Sequence, residues 1–398
     1  MDKSCILVGS IYPKHILDSI LNEHSHVDFA ANTFQLSLLE GFSKYYSSIY
    51  VITSPVTSLF PRSKKIVYTH FYGTLDTSNL KVHMIFPGFI NLPFLKLISE
   101  FFLVKKNLHK SLKEDCTVYI YALHSPFLLA VYSLRKRISN VCVIIPDLPD
   151  YMSHNNGLLR RLLKRVNKYL LNKCIKEFPN HVLFSKFMAS QLPLQGKKSI
   201  VVEGIHSDTK LLVDDKEIKK TILYSGIISS NYGVFDLIEA FHRIDGDDYQ
   251  LWLCGSCQNK MDVLNKYIRD DHRIKYFGLL QKEQVRKLQR KATLLVNPRH
   301  SNEEFTKYSF PSKTMEYLYS GTPTLMCRLC AIPKEYDEFL YYFDDESVDG
   351  YKNRIIEVCN LDKNYLQKQG EKARDFIANK KNCYVQAERI FKMVELDG

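Results

Sequence analysis

Leu294-Leu-Val-Asn-Pro-Arg299, then a polar loop, then Tyr308-Ser-Phe-Pro-Ser-Lys-Thr-Met-Glu316-Tyr-Leu-Tyr-Ser-Gly-Thr-Pro-Thr-Leu325 reads as strand, loop, helix, tight turn and strand. The short apolar run Leu294–Val296 suits a buried strand, Ser312–Tyr319 suits a helix, and Thr324–Met326 starts the next strand. Ser309 or Ser312 is placed to cap that helix, and free backbone N–H groups at such an end favour a diphosphate. Lys313 and Arg299 add positive charge where a departing nucleoside diphosphate gathers negative charge. Glu316, one turn inward, suits two adjacent ribose hydroxyls, because a carboxylate accepts from both.

Working outward, the same alternation of short apolar runs and longer amphipathic stretches fills the chain, which is the pattern of parallel sheets with crossover helices. The fold class is α/β. In the first half the expected strands are Cys5–Val8, Ile49–Ile52, Val82–Ile85, Val118–Tyr121, Val141–Ile145, His181–Phe184 and Ile200–Val202, with helices at Thr33–Tyr45 and Leu158–Lys176 among others. The pattern restarts with strands at Thr221–Tyr224, Gln250–Leu253, Ile274–Tyr276, Leu294–Val296 and Thr324–Met326, and helices at Val234–Ile244, Lys282–Lys291 and Ser312–Tyr319. Between the halves lies a polar, charged linker, residues 207–220. The expected division is residues 1–206, then the linker, then residues 221–383, with a last helix at about 384–398 returning to the first domain. Ligands of such sheets bind beyond the carboxyl ends of the strands.

The 398 residues are 45% hydrophobic and 25% charged, values typical of a soluble globular protein rather than a disordered or membrane-spanning one. The start, Met1-Asp-Lys-Ser-Cys-Ile-Leu-Val-Gly, enters a strand pattern without the succession of a signal peptide, and a cytoplasmic protein is expected. The ten cysteines are scattered, several in strand-like runs (Cys5, Cys142, Cys254), so disulfides are not expected. Residues 1–206 hold 25 Lys+Arg against 13 Asp+Glu, and residues 207–398 hold 30 against 30, so the whole excess of +12 lies in the first half. That half should meet an anionic partner. Met84–Val104 is apolar but interrupted by Pro87, Pro93, Lys96 and Glu100, short of the about 20 residues a span requires. Leu158–Lys176 mixes leucines with Arg160, Arg161, Lys164, Arg165 and Lys168, and reads equally as a membrane-surface helix or a core-packing one.

The Tyr308–Glu316 segment, with Tyr224-Ser-Gly-Ile, Gly233-Val-Phe-Asp-Leu-Ile-Glu-Ala-Phe241, Leu251-Trp-Leu-Cys-Gly255, Tyr276-Phe-Gly-Leu279 and Ala292-Thr-Leu-Leu-Val-Asn-Pro298, resembles the retaining glycosyltransferases of family 4, especially those that build bacterial capsule or O-antigen polysaccharide. The resemblance covers most of the chain and implies the GT-B fold, two Rossmann-like domains facing each other across a cleft. It implies a nucleotide-sugar donor, UDP-linked in preference to GDP-linked, and a lipid-linked saccharide acceptor. The donor is a substrate, and neither a cofactor nor a metal is called for. Peripheral placement on the inner face of the plasma membrane, with the basic half against an anionic membrane surface, fits that acceptor.

The resemblance also implies that Glu316 is the second glutamate of the family's Glu-(seven residues)-Glu motif and binds the donor ribose. Gly226 and Gly255 then let backbone approach the donor, Gly278-Leu279 lies beside the base, and Tyr308, Ser309, Phe310, Ser312 and Lys313 belong to the donor-binding segment. Two features depart from the family. Its first motif glutamate falls at Tyr308, which has no carboxylate to offer; Glu303 or Glu304 from the loop, or backbone groups, are the alternatives to stand in. The Arg and Lys common after the first strand of the second domain are missing from Ile227–Tyr232, which throws the charge onto Arg299 and Lys313.

In the first domain His124 follows the strand Val118–Tyr121, and the resemblance suggests that it contacts the donor sugar. Asp147 and Asp150, past the next strand, are acceptor-side candidates, although Asp before Leu-Pro is also ordinary turn chemistry. Catalysis is expected to rest on His124, Lys313, Arg299 and Glu316 through positioning and stabilisation of the leaving phosphate. A sugar-nucleotide epimerase or hydrolase of the same fold, and a non-catalytic nucleotide-sugar-binding partner, are the competing readings. Nucleic acid is not an expected partner, for want of a recognised motif. Cys254/Cys257 and Cys327/Cys330 are spaced as zinc pairs, but lie too far apart for a zinc ribbon.

Overall fold

The structure is a computed structural model that describes residues 3–22, 27–148, 158–206, 214–257 and 260–396. It divides into two compact units, Met1–Ser207 with Lys381–Gly398, and Asp208–Lys380. Asp150, one of the acceptor-side candidates, lies outside the described residues.

The strands of the first unit are β1 (Ser4–Gly9), β2 (Ser48–Thr53), β3 (Val67–Tyr68), β4 (Phe71–Asp76), β5 (Lys81–Phe86), β6 (Phe89–Ile90), β7 (Cys116–Tyr121), β8 (Asn140–Ile145), β9 (Asn180–Leu183) and β10 (Lys198–Val201). Eight form one sheet in the order β10-β9-β8-β7-β1-β2-β5-β4. All neighbours are parallel except β4, which runs antiparallel to β5 at the edge. Central β1 and β7 are buried along their whole length, as strands covered on both faces must be, and this is why they read as unbroken apolar runs. The helices are α1 (Lys14–Asn22), α2 (Phe29–Phe42), α3 (Leu95–Ser111), α4 (Ser125–Leu134) and α5 (Leu158–Glu177). Asp28 caps α2 by accepting from the Ala31 N–H at 3.0 Å. α3 packs on α4, and α4 on α5.

The second unit has β11 (Lys220–Ser225), β12 (Tyr249–Cys254), β13 (Ile274–Tyr276), β14 (Leu294–Asn297), β15 (Thr324–Met326) and β16 (Tyr341–Tyr342), in the parallel order β13-β12-β11-β14-β15-β16. Its helices are α6 (Val234–His242), α7 (Met261–Asp270), α8 (Lys282–Lys291), α9 (Lys313–Tyr319), α10 (Val348–Cys359) and α11 (Lys363–Lys380). Ile222, Phe241, Leu251, Leu294 and Tyr351 sit at the centre of its core. Of the stretch read as a linker, the described part is fastened to this unit. Asp214 pairs with Arg290 at 2.6 Å, and the Lys216 ammonium donates to the Ala292 carbonyl at 2.8 Å.

The final helix, α12 (Cys383–Glu395), belongs to the first unit and packs on α2. Contact is close enough that a Cβ on Gly41 would overlap the Cys383 carbonyl. Tyr46 donates to Glu395 at 3.0 Å, and Lys3 pairs with the same carboxylate at 2.8 Å. Where the chain re-enters the unit, the Lys381 ammonium meets the Glu203 carboxylate, with side chains only 3% and 2% exposed. Removing one partner of such a pair strands a charge in the interior. Lys381→Met should therefore lower stability by about 3–5 kcal/mol, whereas Lys381→Met with Glu203→Leu should recover most of the loss. Urea denaturation of the three proteins measures both, and equal midpoints for the single and double variants would contradict it.

Candidate active site

Beyond the carboxyl ends of β11 and β14, the second unit holds a pocket of about 190 Å³. It is lined by Tyr224, Ile227, Tyr232, Asn297, Arg299, Ser309, Phe310, Pro311, Ser312 and Lys313. Each element brings a side chain for a local reason. Tyr224 is the next-to-last residue of β11, and its hydroxyl donates to the Ile227 carbonyl at 2.9 Å, which fixes the turn after the strand. Asn297 ends β14 and Arg299 follows one proline later. α9 is tied to β11 through Tyr317, whose hydroxyl accepts the Ser225 N–H at 2.9 Å. Phe310 packs against buried Tyr336, with ring centroids 5.6 Å apart, and so seats the segment that enters α9.

The two cations are held differently. The Arg299 side chain lies among rings, its guanidinium 4.3 Å from the centroid of Phe305 and 5.9 Å from that of Tyr232. The residue is 8% exposed. Lys313 reaches back over Gly226, where a Cβ would overlap its Cε and Nζ. Burial pushes the Lys313 ammonium below the usual lysine range, Glu316 draws it back up, and Arg299 lowers it. Among the described residues the pocket lining includes these two cations and no carboxylate.

Gly226 has φ +155° and Gly255 φ +133°, both in the region that favours glycine. The two backbones touch, since a Cβ on Gly255 would overlap the Gly226 carbonyl. The Gly255 N–H in turn donates to the Gly278 carbonyl at 2.7 Å, and Leu279 beyond it is 79% exposed. Lys313, Gly226, Gly255 and Gly278 therefore form one continuous line across the strand ends. The structure brings together Arg299, Ser309, Phe310, Ser312, Lys313 and Gly226. Glu316 stands exposed in the first turn of α9, outside the pocket lining, and Tyr308 is buried, with its N–H on the Phe305 carbonyl at 3.1 Å.

Capping of α9 needs a correction. Ser312 occupies the N-cap position with φ −53° and ψ −30° and makes no side-chain capping bond, and the helix begins at Lys313. A residue already in the helical region turns its hydroxyl away from the N–H groups a cap must reach. The Pro311 carbonyl takes the Thr314 N–H at 2.9 Å.

In the first unit His124 is the residue before α4, just past β7. Its Nε2 lies 3.0 Å from Glu100 Oε2, and Glu100 Oε1 accepts from Ser54 at 2.7 Å. Glu100 is buried on the inner face of α3, so the histidine is held from behind by a carboxylate. Asp147 is exposed after β8. Sequence reasoning missed Glu100, which it treated only as a charge breaking an apolar run. It also missed Tyr224, Tyr232 and Asn297 as lining, although each falls at or just past a strand end. His300 escaped it too; this residue lies between Asp236 at 2.8 Å and Glu346 at 3.4 Å and braces the loop after Arg299.

The cysteine pairs do not converge. Cys254 and Cys327 are buried and Cys330 is exposed, with burial pushing the Cys254 thiol up to about 11. Among the described residues no group of three or more His, Cys, Asp or Glu is gathered as metal ligands.

Residues 212–381 match the family described as glycosyl transferases group 1. None of the curated proteins matches the chain. Among solved structures the chain is similar to sucrose-phosphate synthase from Thermosynechococcus elongatus, at 12% identity over 98% of each chain with a TM-score of 0.67. It is similar to the lipopolysaccharide outer core galactosyltransferase WaaB in its apo form, at 14% identity over 98% of this chain and 99% of that one, TM-score 0.61. A third is Anabaena Alr3699/HepE in complex with UDP, at 12% identity over 98% of each chain, TM-score 0.61. At such identities the likeness shows the fold, two Rossmann-like halves of GT-B type.

Two glycines of the line separate backbone strain from close approach. Gly278 has φ +66° with open space where a Cβ would stand, so Gly278→Ala should cost only the ~1–2 kcal/mol of a left-handed residue. Gly255→Ala adds the overlap with Gly226 and should cost clearly more, with both measured by urea denaturation of the full chain. Equal losses would mean that the strand ends are not held in contact.

Proposed function

We propose that this glycosyltransferase of GT-B fold moves a sugar from a nucleotide-sugar donor to a lipid-linked saccharide acceptor, with retention of configuration, in bacterial surface polysaccharide synthesis. UDP-linked donors are favoured over GDP-linked ones. The observation that carries the reading is the pocket of about 190 Å³ in which Arg299 and Lys313 stand beside strand ends stripped of side chains at Gly226 and Gly255. A diphosphate fits such a place, because backbone and two cations meet it without a competing acid. Support for the donor comes from the UDP bound to HepE, and for the acceptor from the lipopolysaccharide outer core on which WaaB acts. The family 4 resemblance supplies the retaining stereochemistry and the capsule or O-antigen setting.

In this reading Lys313 and Arg299 neutralise the charge that gathers on the leaving diphosphate as the bond from the sugar's anomeric carbon to phosphate oxygen breaks. An acceptor hydroxyl bonds to the same carbon from the same face, and its proton passes to the departing phosphate. Glu316 accepts from the ribose hydroxyls, Gly278-Leu279 borders the base, and Ser309, Phe310 and Ser312 shape the donor pocket. Tyr308 packs behind that segment without supplying a carboxylate. His124, steadied by Glu100, contacts the donor sugar, and Asp147 with Asp150 belongs to the acceptor side. The two cations fill the role a divalent metal takes elsewhere, and no cofactor enters. The protein works in the cytoplasm, at the inner face of the membrane that presents its acceptor.

Thermal-shift screening against UDP-, GDP- and other nucleotide sugars tests the donor, since a ligand at 100 times its Kd stabilises by roughly 2.7 kcal/mol. Lys313→Ala and Arg299→Ala should each weaken UDP binding about ten- to a hundredfold, the ~1.5–3 kcal/mol of a hydrogen bond to a charged group. Unchanged affinity in both variants, or no shift with any nucleotide sugar, would sink the reading.

The depressed lysine adds a pH dependence. In the free protein burial favours the neutral amine, whereas a bound diphosphate favours the ammonium, so binding takes up a proton above the free-state pKa. UDP affinity should hold constant below that pKa and fall as pH rises through it. Titration calorimetry should show the fall in the native protein and a smaller one in Lys313→Arg, whose guanidinium stays charged; identical slopes would exclude Lys313 as the group responsible.

A further inference from the structure

The first unit exposes a continuous apolar surface outside the residues discussed so far. On α3, Phe94 at its N-cap is 67% exposed, Ile98 52% and Phe102 61%, one turn apart on a single stripe. Glu100, Val104 and Leu108 form the buried side of the same helix. The stripe continues onto the antiparallel β3–β6 ribbon, where the paired residues Val67 and Ile90 are 54% and 38% exposed. α3 stands on that ribbon, because the Ile90 N–H donates to Ser99 Oγ at 3.0 Å and the Lys96 ammonium lies 4.7 Å from the centroid of the Phe89 ring. The loop before it joins through buried Asn91. The Asn91 carbonyl accepts the Phe60 N–H at 3.1 Å, and its side chain donates to the Ser58 carbonyl at 2.9 Å. Leu59 and Phe60, also exposed, therefore border the same patch.

The charge around the patch has one sign. Residues 54–113 contain nine Lys and Arg and only two acids, Asp76 and Glu100, of which Glu100 is buried. Arg62, Lys64, Lys65, Lys106 and Lys110 are exposed. A single exposed apolar residue is ordinary, but a contiguous patch with a polar rim marks an interaction surface. Nearby on the same helical layer, Leu162, Val166 and Tyr169 of α5 are exposed as well, among Lys164, Arg165 and Lys168.

We propose that this surface docks on an anionic phospholipid bilayer, with Phe94, Ile98 and Phe102 in the acyl boundary and the lysines on the headgroup phosphates. A second copy of the chain would set like charges against each other. A plane of diffuse negative charge over an apolar interior complements both halves of the patch at once. The sequence places its membrane candidate on the basic helix Leu158–Lys176; the exposed stripe of α3 with the β3–β6 ribbon is a second apolar surface, and α5 packs on α4, which packs on α3. The proposal deepens the lipid-linked acceptor of the function proposed above and rests on it.

Co-sedimentation with vesicles tests it on the full chain, with no donor present. Vesicles of phosphatidylcholine and phosphatidylglycerol at roughly 3:1 should bind the protein, pure phosphatidylcholine far less, and high salt should release it. Phe94→Ser with Phe102→Ser should weaken binding about tenfold or more. Lys106→Glu with Lys110→Glu, two exposed sites that the fold does not need, should remove the preference for anionic vesicles. UDP-induced thermal shifts, which arise in the second unit, should remain in all variants. Failure of the native protein to bind, or binding unchanged by both pairs of substitutions, overturns the docking surface. So does a concentration-dependent dimer that Phe94→Ser with Phe102→Ser abolishes. Loss of the UDP shift in the native protein instead overturns the donor reading and leaves vesicle binding to stand or fall separately.

Discussion

The candidate site depends on the contact between the backbones at the ends of β11 and β12. The two backbones can touch because Gly255 carries no side chain, and both glycines take conformations that other residues resist. The same bare surface on Gly226 gives the Lys313 head its place. Were the residue after β11 to carry a Cβ, Lys313 would be displaced, and with it the positive charge beside Arg299. Tyr317 secures the arrangement from below, since its hydroxyl binds the Ser225 N–H one residue before the glycine. α9 cannot shift along β11 without breaking that bond.

Much of this was written in local pattern. Runs such as Ile6–Val8, Val118–Tyr121 and Leu294–Val296 are buried on both faces, so their apolar character is continuous and their strands are plain in the sequence. β4 was not legible, because it lies at the edge with alternating exposure and holds Gly73 and Thr74 among its few apolar residues. The two-residue strands β3, β6 and β16 are too short to leave a period. Arg299 and Lys313 were legible as cations near a strand end, but their mode of holding was not. Nothing in a string of letters shows that Phe305 and Tyr232 flank the guanidinium, or that Ser312 enters the helix already coiled and so cannot cap it. Likewise Glu203 and Lys381 are 178 residues apart, and only the folded chain makes them neighbours.

α3 shows how a single helix serves two ends. Its inner face buries Glu100, which accepts from Ser54 and meets His124, so the histidine past β7 is oriented by a residue from another segment. Its outer face carries Phe94, Ile98 and Phe102 into solvent. The run Met84–Val104 reads as too short for a membrane span because Pro87, Pro93, Lys96 and Glu100 interrupt it. Glu100 faces inward beside Val104 and Leu108, while Phe94, Ile98 and Phe102 face out. Hydropathy summed along the chain cannot distinguish that arrangement from its reverse, whereas the side each residue takes on the helix does.

Tyr308 marks the sharpest difference from the family that the sequence resembles, and its surroundings show what the change does. It is buried beneath the turn formed by Glu304–Lys307, while Glu303 and Glu304 point to solvent. A carboxylate at this depth would have to be paired to be tolerated. With a phenol there, Glu316 is the acid that offsets Lys313, and Arg299 lies close enough to act on the same ammonium in the opposite sense. The pocket keeps more of its positive charge for whatever enters it. Under the proposed function that exchange favours an anionic leaving group, and orienting the sugar falls to groups outside the Tyr308–Glu316 segment.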